Sequence, residues 1–175
     1  MIKIIITGLN YIDKLPLANK LIEIDDNLSI GQEFTTNKFL YDDNSFGQYI
    51  DLETLSLSYK NNALFYVHTE DFMSNGLTLD EYYNNDIFCI NIEDVNLISD
   101  SMIDDNTLIV WLDTKYQKSQ NINKDLYEVK IFEQRLKNVN YVYFLDESID
   151  KMTEIILNYI NGNSDIKEKI LEEFE

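Results

Sequence analysis

The stretch KIIITGLNYIDKLPLANKLIEI, from Lys3 to Ile24, contains the signals of a strand, a loop and a helix in close succession. Lys3–Thr7 is short and β-branched, which is typical of a strand that is buried on both faces. Gly8 ends this strand. From Leu15 onward apolar residues recur at helical spacing, and Pro16 stands where the first turn of a helix tolerates proline. The stretch therefore predicts a core strand joined by a short loop to a helix.

The same alternation of strand and helix patterns continues along the chain. Further buried strands are predicted at Ile87–Ile92, Thr107–Leu112 and Tyr141–Leu145, and another strand at Ala63–His68. Amphipathic helical patterns separate these runs, with Thr78 and Ser148 placed as N-caps; Thr78 and Glu81 have the spacing of a capping box. Such an order predicts an α/β fold with three layers, in which helices cover both faces of a mainly parallel sheet.

A length of 175 residues suits one domain, and we expect a single domain over residues 1–175. Two segments interrupt the regular alternation. Residues 29–60 are predicted to form a small insert of short strands or irregular structure, since Leu55–Tyr59 alternates apolar and polar residues. The polar segment around 114–124 is predicted to be an exposed, lid-like excursion, and a last helix is predicted after Gly162.

Composition and charge exclude several classes of protein. Apolar residues make up 45% of the chain, which is enough to fold and argues against intrinsic disorder. The formal net charge is −18, and Arg135 is the only arginine. A field of that sign repels nucleic acid and anionic membranes, so we expect neither as a partner and favour a protein partner or self-association.

Other features of the composition bear on localisation. Cys89 is the only cysteine and cannot form an internal disulfide, and no apolar run has the roughly 20 residues that cross a bilayer. The start of the chain also lacks a secretory layout. We therefore expect a cytoplasmic protein. The abundance of Asn, Ile, Lys and Tyr matches AT-rich codons, which favours a phage or viral source and places the protein in a host cytoplasm or virion.

The loop after the first strand resembles a phosphate-binding loop. Laid on the pattern G-x-x-x-x-G-K-[ST], Gly8 takes the position of the first glycine and Lys14 that of the lysine. Asp13 replaces the second glycine and Leu15 replaces the hydroxyl residue. In an open parallel sheet this first loop is also the leading candidate for a ligand site.

With its context, the loop resembles that of the nucleoside-monophosphate kinase group of P-loop proteins, and guanylate kinases in particular. Ser29-Ile30 followed by Thr35-Thr36-Asn37 is similar to the family's substrate loop, with Asn37 where an arginine is usual. Asn75–Thr78 is similar to its Tyr-Gly-Thr segment. The resemblance implies a P-loop kinase fold, and it implies Thr35, Thr36 and Thr78 as candidate substrate-loop residues.

The resemblance extends to the second half of the chain. The family's aspartate in the strand 87–92 corresponds to Asn91. Glu133–Leu136, the strand at Tyr141–Leu145 and Asp146–Ser148 at the start of a long helix follow the family's layout. Arg135 is accordingly a candidate remnant of a lid arginine. The candidate nucleotide-binding set is thus Gly8, Asp13, Lys14, Leu15 and Arg135, in a degenerate form.

The chemistry of phosphoryl transfer depends on neutralising negative charge and positioning the transferring group. The carboxylate of Asp13 would repel a polyphosphate. The repulsion energy of two unit charges 4 Å apart is roughly 1 kcal/mol in water and about 4 kcal/mol at an effective dielectric of 20. Leu15 cannot ligate Mg²⁺. Arginine forks that match phosphate are also missing apart from Arg135. No catalytic residue, metal site or cofactor is therefore assigned, and Mg-ATP is implied only if the chain is an active kinase.

Each candidate residue also has an ordinary structural interpretation. Lys14 could bind a phosphate, but a solvated lysine paired with Asp13 is favoured. Arg135 is favoured as a surface ion pair with nearby acidic residues of its helix, which are Asp125, Glu128 and Glu133. His68 is interpreted as a partly buried residue at a strand end, and Cys89 as a core residue.

Two further groups of residues, the paired aspartates and three tyrosines, lie outside the core pattern. The aspartate pairs at 25–26, 42–43 and 104–105 lack calcium-loop spacing and are interpreted as turn formers. Tyr11, Tyr41 and Tyr49 fall outside the core pattern and are candidates for a protein contact surface.

Three hypotheses of function follow. The first is a catalytically degenerate nucleotide-kinase-like protein that acts as a non-enzymatic binding or structural module. The alternative is a diverged but active (deoxy)nucleoside-monophosphate kinase that uses ATP. The third, an acidic decoy that mimics nucleic acid, depends only on the net charge.

Overall fold

The computed structural model describes residues 2–39, 47–114, 122–137 and 139–162, with only the backbone described at 122–124. Its strands are β1 (Lys3–Gly8), β2 (Phe34–Thr35), β3 (Gln48–Tyr49), β4 (Leu64–Glu70), β5 (Met73–Thr78), β6 (Ile87–Asn91), β7 (Thr107–Asp113) and β8 (Asn140–Leu145). Its helices are α1 (Leu15–Ile24), α2 (Leu52–Lys60), α3 (Leu79–Asn84), α4 (Ile92–Val95), α5 (Ile122–Leu136) and α6 (Ile149–Ile160), with a 3₁₀ turn at Asp100–Met102.

The central sheet contains the four strands predicted for the core. Its order is β6-β1-β7-β8, and every pair is parallel. β1 lies between β6 and β7, and Ile4, Ile5 and Ile6 are fully buried. At the outer side of β6, Ile30 forms an isolated parallel bridge with Ile87. The unbroken apolar run of β1 is thus explained by its central position, where both faces are covered.

Helices cover both faces of this sheet, which confirms the three-layer α/β prediction. Ile4 and Ile6 pack in a cluster with Leu17, Leu21 and Ile156, which belong to α1 and α6. Ile5 points to the opposite face, where its cluster includes residues of α4 and α5, namely Ile92, Val95, Phe132 and Leu136. Alternate residues of one strand therefore serve the two hydrophobic cores.

A second sheet of order β3-β2-β5-β4 follows α1 in the chain. β4 and β5 form an antiparallel hairpin, and β2 pairs antiparallel with β5 and parallel with β3. Two strands of the segment 29–60 are therefore short, as predicted, but Leu55–Tyr59 is not a strand. It lies in α2, whose N-cap Asp51 accepts a hydrogen bond from Thr54 N at 2.8 Å. The alternation of apolar and polar residues predicted a strand. The N-cap stabilises a helix instead, and Leu55 is the one residue of this helix that is buried.

The predicted helix starts are also observed. Thr78 accepts from Glu81 N, and Ser148 accepts from Lys151 N. Glu81 does not complete the predicted capping box, because its carboxylate accepts from Gln32 N and from Asn85 Nδ2. Most of the lid-like segment 114–124 and the helix predicted after Gly162 lie outside the described residues. In the part of the chain that is described, no helix has both the length and the apolar character needed to traverse a bilayer.

Candidate functional site

The loop Gly8–Leu15 joins the carboxyl end of β1 to α1, so it lies where open parallel sheets bind ligands. Gly8 is required there by a close approach. A Cβ atom added at this position would lie 2.8 Å from the carbonyl oxygen of Leu112, at the end of β7. Packing of the loop against the neighbouring strand is therefore sufficient to explain this glycine.

Lys14 is buried inside the loop, with 7% of its surface exposed. Its ammonium donates to Asn91 Oδ1 at 2.8 Å, to Ile12 O at 3.0 Å and to Leu9 O at 3.5 Å. Three acceptors match the three N–H donors of an ammonium. Burial lowers the pKa of Lys14, and the acidic groups nearby, when ionised, act in the opposite direction. The prediction that Lys14 is solvated and paired with Asp13 is therefore wrong.

Asp13 lies at the start of α1 and is exposed. Its Oδ1 accepts a hydrogen bond from Leu15 N at 3.2 Å, whereas Lys14 at the N-cap provides no side-chain cap. The backbone N–H groups at a helix start attract anions. Here the chain's own carboxylate takes that position, and the side chain of Leu15 is 54% exposed beside it.

A cleft of about 170 Å³ lies between the second sheet and the carboxyl end of β6. Its walls include Glu33 before β2, His68 on β4, Asn91 at the end of β6 and Asp94 on α4. Asn91, which is also the N-cap of α4, joins this cleft to the loop through its bond to Lys14. Elements far apart in the chain therefore meet at one place.

Two hydrogen-bonded pairs form the polar interior of the cleft. His68 Nδ1 lies 2.6 Å from Asp94 Oδ1, and the hydroxyl of Tyr66 donates to Glu33 Oε1. Burial, together with the charge of Asp94, raises the pKa of Glu33 to about 8, while Lys14 acts in the opposite direction. Burial also raises the pKa of Asp94, while its hydrogen bond to His68 acts in the opposite direction. The cleft therefore holds a proton on Glu33 at neutral pH.

The three candidate substrate-loop threonines support local turns and a helix cap. Thr35 Oγ1 accepts from Asn37 N at 3.0 Å, and Thr36 Oγ1 accepts from Ser74 N at 2.8 Å. Thr78 Oγ1 accepts from Glu81 N at 3.2 Å, and this residue lines a different cavity, bounded by Gln32 and Gly47. None of the three is among the residues that line the cleft of Glu33 and Asp94.

Arg135 lies on α5, and its guanidinium donates to the carbonyl of Val95, the last residue of α4, and to that of Ile98 just beyond it. It also forms an ion pair with Asp100 at 2.8 Å, and its side chain is 13% exposed. The partner is therefore not one of the acidic residues of α5 that the sequence suggested. These contacts direct the arginine to the end of α4.

Other candidates have structural positions. His68 is partly buried, as predicted, but it lies within β4 and not at its end, because the strand continues to Glu70. The raised pKa of Cys89, about 12, keeps its thiol protonated. The hydroxyl of Tyr11 is buried and has no hydrogen-bond partner among the described residues, so it does not face outward. Tyr49 is 41% exposed on β3, and Tyr41 lies outside the described residues.

The acidic and histidine members of the cleft were not recognised as a site from the sequence. Glu33, His68 and Asp94 form no sequence motif, because they come from three separate segments: the chain before β2, strand β4 and helix α4. Within residues 2–39, 47–114, 122–137 and 139–162, no group of three histidine, cysteine or carboxylate side chains could hold a metal ion.

The fold that positions this loop and cleft is similar to that of a solved nucleotide kinase. A crystal structure of guanylate kinase from Anaplasma phagocytophilum superposes on this chain with a TM-score of 0.54 at 13% sequence identity. The match covers 93% of this chain and 85% of the other. The chain therefore has a guanylate-kinase-like fold. No protein-family model matches the sequence, and no curated protein matches it significantly.

Proposed function

We propose that this chain is a catalytically degenerate, nucleotide-kinase-like protein that acts as a non-enzymatic binding or structural module. The observation that carries the proposal is that the ammonium of Lys14 is hydrogen-bonded within the chain. Its three donors are directed to Asn91 and to two carbonyls of its own loop. A phosphate could bind this ammonium only by displacing those acceptors, each of which would lose a buried hydrogen bond.

Two further contacts support the proposal. The carboxylate of Asp13 accepts the Leu15 N–H at the helix start, where it opposes a second negative charge. The guanidinium of Arg135 is directed to backbone carbonyls and Asp100, so it is not oriented toward the loop by any described contact. Leu15 offers no hydroxyl for Mg²⁺.

Calorimetry with Mg-ATP and Mg-GMP, together with an ADP-release assay, tests this proposal. We expect heats at the level of dilution and no phosphoryl transfer to any nucleoside monophosphate. The double variant Asp13→Gly with Leu15→Ser should gain weak Mg-ATP binding, because it removes the carboxylate and supplies a magnesium ligand. Leu15→Ser alone is the matched control and should not bind. Turnover near 1 s⁻¹ by the wild type, as is typical of kinases, would contradict the proposal.

One observation favours the alternative of a diverged, active nucleoside-monophosphate kinase. Gly8 and Lys14 keep the spacing of a phosphate loop, and Lys14 lies beyond the carboxyl end of the central strand β1. In that alternative, Mg-ATP would displace Asn91 from the ammonium. Stabilisation of the wild type by about 2.7 kcal/mol at a hundredfold excess of ligand over Kd would support it.

A further inference from the structure

The tip of the β4–β5 hairpin carries a phenylalanine where folding favours a small residue. Asp71 and Phe72 form the turn, and their φ angles are +48° and +66°. Two-residue turns with both φ values positive favour Asn and Gly, and a bulky residue there is strained. Phe72 is 99% exposed, so no contact with the described part of the chain compensates for the strain. The hairpin would fold at least as well with asparagine at this position.

Phe72 has apolar neighbours at the same end of the second sheet. Met73, the next residue, is 37% exposed, and Phe39 is 83% exposed. Asn37 links these two segments, since its Nδ2 donates to Met73 Sδ at 2.7 Å and its Oδ1 accepts from Phe39 N at 3.0 Å. Phe39, Phe72 and Met73 together are named the hairpin-tip surface. Exposed apolar groups that cluster in this way mark interaction sites.

Carboxylates surround the Phe72 and Met73 side of the hairpin-tip surface, whereas the exposed Lys38 adjoins Phe39. Met73 also lines the cleft of Glu33 and Asp94, and Glu70, Asp71 and Glu93 lie on the same walls. The one basic side chain on these walls that the structure describes, His68, is paired with Asp94. A partner's apolar side chain that packs on Phe72 and Met73 therefore lies beside carboxylates. These carboxylates favour a partner that has a cationic residue next to its apolar one.

We propose that the hairpin-tip surface docks a basic segment of a partner protein. An apolar side chain of that segment packs on Phe72 and Met73, and a lysine or arginine beside it lies over the carboxylates of Glu70 and Asp71. A second copy of this chain fits poorly, because it brings a net charge of −18 to an acidic surface. The proposal goes beyond the proposed function and does not depend on whether the loop binds nucleotide.

Fluorescence anisotropy with labelled peptide probes tests the docking surface at physiological salt. The probes are a peptide of alternating lysine and leucine, the same peptide with glutamate for lysine, and one with serine for leucine. We expect the lysine–leucine probe to bind best. Phe72→Asn should weaken its binding about tenfold, the loss typical of a contact at the centre of an interface. The melting temperature of this variant should not fall, because asparagine suits the turn.

Matched variants separate the surface from bulk charge. Leu57→Asn removes another exposed apolar side chain, on α2, and should leave binding unchanged. Glu70→Gln with Asp71→Asn should weaken binding more than Glu154→Gln with Glu53→Gln, which removes two carboxylates elsewhere. Equal binding by wild type and Phe72→Asn would overturn the proposal, as would equal losses for both charge pairs. Equal binding of the lysine–serine probe would also overturn it, and so would a dimer in sedimentation that Phe72→Asn disperses.

Discussion

The ammonium of Lys14 donates to Asn91 Oδ1 at 2.8 Å, although the two residues are 77 positions apart. This bond ties the β1–α1 loop to the end of β6. The family resemblance pointed to each of the two residues separately, and the fold brings them into contact. Both side chains contribute to the same buried polar cluster. The ammonium of Lys14 thus has all its described acceptors within the chain, which is the physical basis of the proposed loss of catalysis.

We expect Lys14→Met to lower the free energy of unfolding by about 2–3 kcal/mol, because three partly buried acceptors lose their donor. Asn91→Ala should cost about 1–2 kcal/mol, and the double variant should cost less than the sum by about 1 kcal/mol. Urea denaturation of the four proteins measures this coupling. Lys20→Met, which breaks an exposed pair with Glu23, is the control and should change stability by less than about 0.5 kcal/mol. Additive losses would mean that the Lys14–Asn91 bond contributes no stability of its own.

The raised pKa of Glu33 predicts that stability falls as pH rises. A glutamate in the unfolded chain has a pKa of about 4.3, whereas that of Glu33 in the folded protein is about 8. Between these values the folded state holds a proton that the unfolded state has lost. Stability should therefore fall with pH across this window, by at most about 1.4 kcal/mol per pH unit, and level off above it.

Urea denaturation from pH 5 to pH 8 checks this expectation by comparing wild type with Glu33→Gln. The variant cannot ionise at this position, so its stability relative to wild type should increase steadily with pH. Glu154→Gln, at an exposed position of α6, is the control and should show no such trend. A constant difference between wild type and Glu33→Gln would show that the carboxyl of Glu33 titrates normally.

Arg135→Lys should destabilise the protein by about 1–3 kcal/mol, although it keeps the charge. The planar guanidinium reaches the Val95 and Ile98 carbonyls together, and an ammonium cannot reproduce that geometry. Removal of the exposed charge of Lys130 on the same helix, by Lys130→Met, should have little effect. Thermal melting measures both variants. An unchanged melting temperature for Arg135→Lys would mean that its contacts to the end of α4 do not hold the fold.

Gly8→Ala should cost about 1–3 kcal/mol, since its Cβ would lie 2.8 Å from the backbone oxygen of Leu112 and one of the strands must shift. Ser56→Ala, at an exposed position of α2, is the control, because serine already has a Cβ atom and the change introduces alanine without a new close contact. Denaturation midpoints of the two variants give the comparison. Equal midpoints would indicate that the loop has room for a methyl group and that Gly8 serves another purpose.

The sequence by itself determined the central sheet. Runs such as Lys3–Thr7 and Thr107–Leu112 are recognisable because a parallel strand covered on both faces must be apolar along its length, a local property of the chain. Helix starts at Thr78 and Ser148 were equally local, since each cap acts on the backbone three residues away. The Leu55–Tyr59 segment shows the limit, because a short alternation does not outweigh a capped helix whose burial depends on other elements.

Only the tertiary structure decided the environment of the candidate site. Whether Lys14 is solvated or buried depends on Asn91, and the pKa of Glu33 depends on burial beside Asp94, which comes from a distant element. Arg135 likewise finds its partners on α4 and beyond, not among the acidic residues of its own helix. Burial and charge pairing are properties of the packed chain, since electrostatic energies depend on which groups the fold brings together and how far it excludes water.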